Sequence, residues 1–275
     1  MNNYYDILKK EYDIDKKVID FVNSCQDQLK DNFSEFSDIA MYNQVKILKS
    51  MQEAKLQATD FNWTTGYGYG DIGRDKVEEI YSKIFKCQDA LVRPNIVNGT
   101  HAITLAISSI VSKGDHLLSL TGKPYDTLLK VIGINGNNKR SLINMGVEYS
   151  HVPLIDGKID FDSFKDYVKD NTKLVMIQRS TGYSDRRAFT IEEIEQAVKK
   201  IRQIKKDVYI FVDNCYGEFT CLEEPSYLDI DIMAGSLIKN PGGGLAYSGG
   251  YVVGKKELIE SAASLLTAPG IGKDC

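Results

Sequence analysis

An α/β fold, with a largely parallel or mixed sheet covered by helices and a helical segment ahead of it, is predicted by three observations. Short apolar runs alternate with amphipathic helical segments from about residue 90 onward. The first sixty residues carry helical spacing and no strand signal. The chain has 275 residues, 43% hydrophobic and 26% charged, enough to bury a core without disulfides or metals.

Each element follows from local pattern. Val18, Phe21, Val22, Cys25 and Leu29 recur at helical spacing, and Met41 to Leu56 contains no Gly or Pro to stop a second helix. Thr64 to Arg74 is a glycine-rich loop, and Asp75 is placed to cap a helix carrying Val77, Ile80, Tyr81 and Ile84. Brief strands are expected at Ala90–Val92 and Ile96–Val97, then an apolar helix from Ala102 to Val111. His116 to Leu120 reads as a strand, Tyr125 to Ile132 as a helix, and Val147 to Leu154 and Lys173 to Gln178 as strands. Ile191 to Ile204 is helical, and Val208 to Val212 is the apolar, β-branched run of a strand buried on both faces. Ile230 to Ile238 follows, and Gly250 to Val253 precedes a helix from Lys255. The domain plan is a helical amino-terminal arm over 1–63 and a main domain over 64–275.

Composition narrows the function classes. Lys and Arg against Asp and Glu give 34 − 38 = −4, which argues against a broadly basic nucleic-acid surface. The start, Met1 to Asp6, has no apolar core of a signal peptide, and no apolar run approaches a membrane span. The five cysteines include no CxxC pair, and none of the three histidines lies near a cysteine. A zinc site and a disulfide framework are disfavoured, and a reducing cytoplasm is the expected setting.

Two literal motif matches fail on context. Gly68 to Gly73 matches GxGxxG, but polar, helical sequence precedes it where a dinucleotide fingerprint needs a buried strand. Ser236 to Lys239 matches S-x-x-K, but Asn240-Pro241-Gly242-Gly243-Gly244 cannot continue the helix that motif requires.

Four other features combine. Lys239 ends an apolar run, where an unpartnered lysine is unusual. Asp213 stands at the carboxyl end of the most convincing strand, where ligands of open α/β sheets collect. Asn98-Gly99-Thr100-His101 joins a short strand to an apolar helix, the arrangement that holds phosphate on backbone N–H groups. Tyr125 opens a helix after a Gly122-Lys123-Pro124 turn. A phosphate cradle, an aromatic plate, a strand-end aspartate and a strand-end lysine are the parts needed for pyridoxal 5'-phosphate. Lys239 would attach the aldehyde, Asp213 would pair with the pyridine nitrogen, and Ser236 could add a hydroxyl to the phosphate.

The order and wording of these motifs resemble the fold-type I pyridoxal-phosphate enzymes. The match is with the cystathionine β-lyase-like, aluminium-resistance family related to methionine γ-lyase. It runs from the helical start through Thr65 to Tyr69 and Asp71 to Asp75 to the block Gly235 to Gly244. The resemblance implies the type I large domain, a mostly parallel mixed sheet with helices on both faces. It also implies a carbon–sulfur lyase acting on a sulfur-containing amino acid by α-proton abstraction and β- or γ-elimination. The implied catalytic set is Lys239, Asp213 and Tyr125, with Gly99, Thr100 and Ser236 on the phosphate. Tyr67 or Tyr69 with Arg74 resembles the pair that reaches a neighbouring subunit's phosphate, which implies a homodimer or homotetramer with shared sites. Arg179 to Ser184 resembles a loop near the cofactor face, with Thr181 and Asp185 as departures from the family wording, and only if the chain as given carries its own site for a substrate carboxylate is Arg179 the first side chain to suspect. Enzymes of this fold carry a C-terminal domain supplying a carboxylate-binding arginine, and the sequence is expected to be truncated ahead of it. The alternatives are another fold-type I enzyme, such as an aldolase, aminotransferase or desulfurase, or a non-catalytic cofactor-binding remnant.

Overall fold

A computed structural model of the chain describes residues 3–64 and 68–275. The helices are α1 (Asn3–Tyr12), α2 (Lys16–Gln28), α3 (Lys30–Glu53), α4 (Ile72–Ile84), α5 (Gly99–Ser108), α6 (Asp126–Ile132), α7 (Phe164–Tyr167), α8 (Ile191–Ile204) and α9 (Lys256–Leu266). The strands are β1 (Asp89–Arg93), β2 (His116–Ser119), β3 (Glu148–His151), β4 (Leu154–Ile155), β5 (Lys158–Ile159), β6 (Thr172–Gln178), β7 (Tyr209–Asp213), β8 (Ile232–Ser236) and β9 (Gly250–Gly254).

The residues form two compact units, Met1–Val45 and Lys46–Cys275. The first is helical. Asp15 caps α2 by accepting the Lys17 N–H at 2.7 Å, and α3 runs unbroken from Lys30 because no Gly or Pro interrupts it. That makes it longer than the helix expected from Met41.

In the second unit, seven strands form one sheet in the order β1-β9-β8-β7-β6-β2-β3. β8, β7, β6, β2 and β3 run parallel, and β9 lies antiparallel between β8 and β1. Strands buried on both faces read as continuous apolar runs, which is why 209–213 and 172–178 were legible. One face packs against α5, α6 and α9 through Ala102, Ile103, Ile107, Leu128, Ile132, Ile259 and Ala262. The other packs against α4 and α8 through Ile80, Ile84, Ile194, Ala197, Val198 and Ile201. The mostly parallel α/β architecture expected from the alternation is present.

Four local expectations are corrected. Asp71, not Asp75, caps α4, accepting the Arg74 N–H at 2.9 Å. Ile96–Val97 is not a strand but lies in the turn after Pro94, with Ile96 fully buried. α5 begins at Gly99, because the Asn98 side chain accepts the His101 N–H at 2.9 Å and starts the helix three residues earlier than its apolar face suggests. β8 ends at Ser236, so Lys239 stands in the turn beyond the strand. The GxGxxG match follows a 3₁₀ turn, Ala58–Phe61, rather than a strand. Among the described residues, no helix is long and apolar enough to cross a membrane.

His116 ties the parallel strands together. Its two ring nitrogens lie 2.8 Å from Thr172 Oγ1 on β6 and 2.8 Å from Ser150 Oγ on β3. Burial pushes its pKa down from 6.5 to about 4. A depressed folded-state pKa on a base means that protons bind the unfolded chain first. Its contribution is therefore complete above pH 6.5 and is lost as pH falls towards about 4. The loss amounts to as much as about 3 kcal/mol. Urea unfolding midpoints measured from pH 7 to 4.5 should fall more steeply for the natural chain than for His116→Asn. Parallel profiles would remove His116 as the cause.

Candidate active site at the carboxyl ends of the strands

A parallel sheet collects its strand ends on one edge, and the loops leaving those ends must be built from residues that can turn. The loops after β1, β2, β6, β7 and β8 converge here on one cleft of about 480 Å³. Gly99, Thr100, Tyr125, Asp213, Ser236 and Lys239 all line it. A groove of about 800 Å³ lies elsewhere, lined by Lys86, Asp231 and Gly254 among others, at the amino end of β8. It gathers none of the residues singled out from sequence.

Asp213, the last residue of β7, is 1% exposed. Its Oδ1 accepts the Cys215 N–H at 3.1 Å. Burial pushes its carboxyl up; the N–H and thiol of Cys215 and the charge of Lys239 pull it back without cancelling the rise. Cys215 stands between them, its side chain drawing the Asp213 carboxyl down and the Lys239 amine up. Burial holds that thiol well above its ordinary value, so it stays uncharged at neutral pH. For Lys239, burial lowers the ammonium's pKa, but Cys215, Asp213 and Tyr216 outweigh it and leave it raised. The Lys239 Nζ also sits 3.8 Å from the centroid of the Tyr216 ring.

Across the cleft, α5 opens at a bare glycine. A Cβ on Gly99 would lie 3.0 Å from Cys215 Sγ, 3.3 Å from Ser236 Cβ and 3.8 Å from Lys239 Nζ. Glycine therefore keeps open a hollow between the helix N-terminus, Ser236 and Lys239, where the unpaired N–H groups of a helix's first turn favour an anion. Thr100 Oγ1 lies 3.0 Å from Tyr125 Oη and 3.1 Å from Thr127 Oγ1. The Tyr125 N–H donates to Gln178 Oε1 at 3.1 Å, anchoring the ring from the end of β6.

The expected loop near the cofactor face is partly there. Ser180, Thr181, Gly182 and Tyr183 line the cleft. Arg179 does not, and it is not free to clamp a carboxylate. It is 4% exposed. Its Nη1 donates to Asn214 Oδ1 and Gly217 O, each at 2.8 Å, and Nη2 to Thr220 Oγ1 and Cys221 Sγ. Arg179 instead pins the turn after Asp213.

Tyr69 and Arg74 lie outside the cleft walls. Arg74 donates to Gly68 O and Asp274 O and pairs with Asp75 at 3.2 Å, while Tyr69 hydrogen-bonds at Cys275. Tyr67 lies outside the described residues. Sequence reasoning missed Cys215, Tyr216 and Gln178. Tyr216 adopts φ 70°, a left-handed conformation that no tyrosine advertises, and only the glycine after it marks a turn. Gln178 had the signal of a polar residue ending an apolar strand.

The model of the methionine gamma-lyase family matches residues 18–275. The uncharacterized protein YnbB of Bacillus subtilis is 46% identical over 242 residues, covering 87% of this chain and 58% of its own length. The structure of a carbon–sulfur lyase involved in aluminium resistance from Clostridium novyi superposes with a TM-score of 0.94 at 41% identity, covering all of this chain and 66% of the other. The pyridoxal-5'-phosphate-dependent protein YhfS of Escherichia coli shares the fold alone, at 17% identity and a TM-score of 0.63, with 84% of this chain and 58% of its own covered. The chain thus spans less than two thirds of the length of these relatives. With the family model matched from Val18 to the last residue, the chain belongs to the methionine gamma-lyase family.

Proposed function

We propose that the chain supplies the cofactor-binding portion of a carbon–sulfur lyase that uses pyridoxal 5'-phosphate on a sulfur-containing amino acid. The observation that carries this reading is the convergence of Lys239, Asp213 and the Gly99 hollow in one cleft. Family membership and the carbon–sulfur lyase name of the Clostridium novyi relative support it.

The residues present fit the cofactor. The hollow at Gly99 suits a phosphate between the first turn of α5 and the Ser236 hydroxyl. A basic, buried Asp213 suits a protonated pyridine nitrogen. Bound pyridoxal phosphate supplies an electron sink for the electron pair left when an amino acid loses its α-proton. Asp213 would keep the ring nitrogen's proton in place, and Tyr125 would cover the ring and exclude water. Lys239 takes the α-proton on Nζ and returns it as a thiol departs from the β or γ carbon. Lys239 is the one cation among the described lining residues. The substrate's α-carboxylate is therefore assigned to a basic group beyond these walls rather than to Arg179, whose guanidinium bonds Asn214 and Gly217.

Tyr69 and Arg74, standing away from their own cleft, are assigned to the phosphate of a second copy, in a homodimer or larger homo-oligomer with shared sites. The reading places the enzyme in a reducing cytoplasm, where the five cysteines, none of them in a disulfide among the described residues, stay thiols.

Three experiments test this reading. Protein mixed with pyridoxal phosphate should gain a visible absorbance band, and borohydride should trap the cofactor on the peptide containing Lys239; a label elsewhere, or none, sinks the assignment. Gly99→Val should fill the hollow and weaken cofactor retention by at least about tenfold while leaving the fold intact, the loss expected when an anion site of several charge-assisted hydrogen bonds is blocked. In the third experiment, Arg74→Ala and Lys239→Ala chains are mixed. Heterodimers should regain cofactor binding that neither homodimer shows, and verified heterodimers without rescue would end the shared-site assignment.

A further inference from the structure

A second buried carboxyl lies across the sheet from the cleft. Along β8, Ala234 packs with Phe211, Cys215 and Val252 on one face, while Met233 packs with Val212, Tyr251 and Val253 on the other. Strand alternation puts Gly235 on that second face, opposite Tyr251 in the register. A Cβ on Gly235 would collide with Glu218 Oε1 and the Tyr251 hydroxyl. The bare glycine is what lets the Glu218 carboxyl lie against β8, one residue from both Ala234, the register partner of Asp213, and Ser236 in the cleft wall.

Glu218 is 1% exposed. The Tyr251 hydroxyl donates to its Oε1 at 2.9 Å, and its Oε2 has no hydrogen-bond partner among the described residues. A dry carboxylate oxygen without a donor costs far more than a neutral carboxyl in the same place, so this geometry favours a proton on Glu218. The titratable groups facing it are Asp213 and Cys215 beside the cleft, Glu224 from its own loop, Tyr251 from β9 and Tyr81 from α4. The nearby cations face other members of the cluster: Lys239 faces Asp213 and Cys215, and Lys46 and Arg179 face Glu224.

We propose that Glu218 is a positioning residue that, by keeping or releasing one proton behind Gly235, sets how tightly Asp213 and Lys239 hold theirs. With the proton on, Glu218 adds no charge beneath the site. With the proton released to solvent, a second negative charge faces Asp213 and Cys215, and the proton affinities of Asp213, Cys215 and the Lys239 amine all rise. Burial pushes the Glu218 carboxyl up to about 7, so the change falls in the physiological range. The functional meaning rests on the reading of Lys239 and Asp213 as the cofactor pair; the test does not.

The experiment uses the full chain without cofactor, with glutamate carboxyl carbons labelled for NMR. One carboxyl should titrate near pH 7 and be missing in Glu218→Gln, a substitution that keeps an acceptor for Tyr251. Tyr251→Phe, which removes the donor that stabilises the ionised form, should move that titration upward. Acetylation of Lys239, followed by mass spectrometry of its peptide, should run at least about threefold faster in Glu218→Gln than in the natural chain at about pH 8.5, and equally at about pH 5.5. Glutamates that all titrate below about pH 5.5, or Lys239 profiles that coincide, would overturn the proposal. Should Glu218→Gln fail to fold, an unmoved titration in Tyr251→Phe overturns it equally. If Glu218 titrates as expected but borohydride traps cofactor elsewhere, the functional reading fails and the Glu218 assignment stands.

Discussion

A carboxylate almost without water organises the cleft end of this molecule. Asp213 is 1% exposed, and a buried charge of this kind persists only when donors and a cation face it. Both requirements are met by the loops leaving two adjacent strands. The Cys215 N–H and thiol come from the turn after β7, and the Lys239 amine from the turn after β8. The parallel pairing of Asp213 with Ala234 sets those two loops side by side. Arg179, from the end of β6, then locks the first turn through Asn214 and Gly217. The site is thus a consequence of strand order, and its side chains hold one another in place.

Glycine does the complementary work on both faces of β8. Gly99 leaves space on the cleft side between Cys215, Ser236 and Lys239. Gly235 leaves space on the far side for Glu218 and Tyr251. Neither glycine is required by a left-handed backbone: at Gly235 the Glu218 and Tyr251 side chains occupy the volume of the missing side chain, and at Gly99 a side chain would crowd Cys215 and Ser236 and narrow the cleft. Carboxyls therefore stand on both sides of the same short strand, and the backbone between them is too thin to isolate one charge from the other. A group remote from any ligand in sequence logic becomes electrically part of the site.

The relation between sequence and structure differs from element to element. The buried strands 172–178 and 209–213 were legible because two-sided burial writes an unbroken apolar run. Helix starts were misread where a cap competed with periodicity, as at Asp71 and Asn98, since one side-chain hydrogen bond moves a boundary that hydrophobic spacing cannot see. Lys239, Asp213, Gly99, Thr100, Tyr125 and Ser236 could be picked out because each sits at an element's end beside turn residues, and they share one cleft.

By itself the sequence determined the α/β class, the order of its main elements and the strand ends whose loops line the cleft, because those properties are local and periodic. Tertiary structure alone decided the partners. That Cys215 stands between Asp213 and Lys239, that Tyr216 turns its ring onto the amine, and that Arg179 is spent on a turn instead of reaching the cleft depend on which strands are neighbours. Neighbourhood in a parallel sheet is set by crossovers spanning tens of residues, and no pattern of local spacing encodes which side chains such crossovers bring within hydrogen-bond reach.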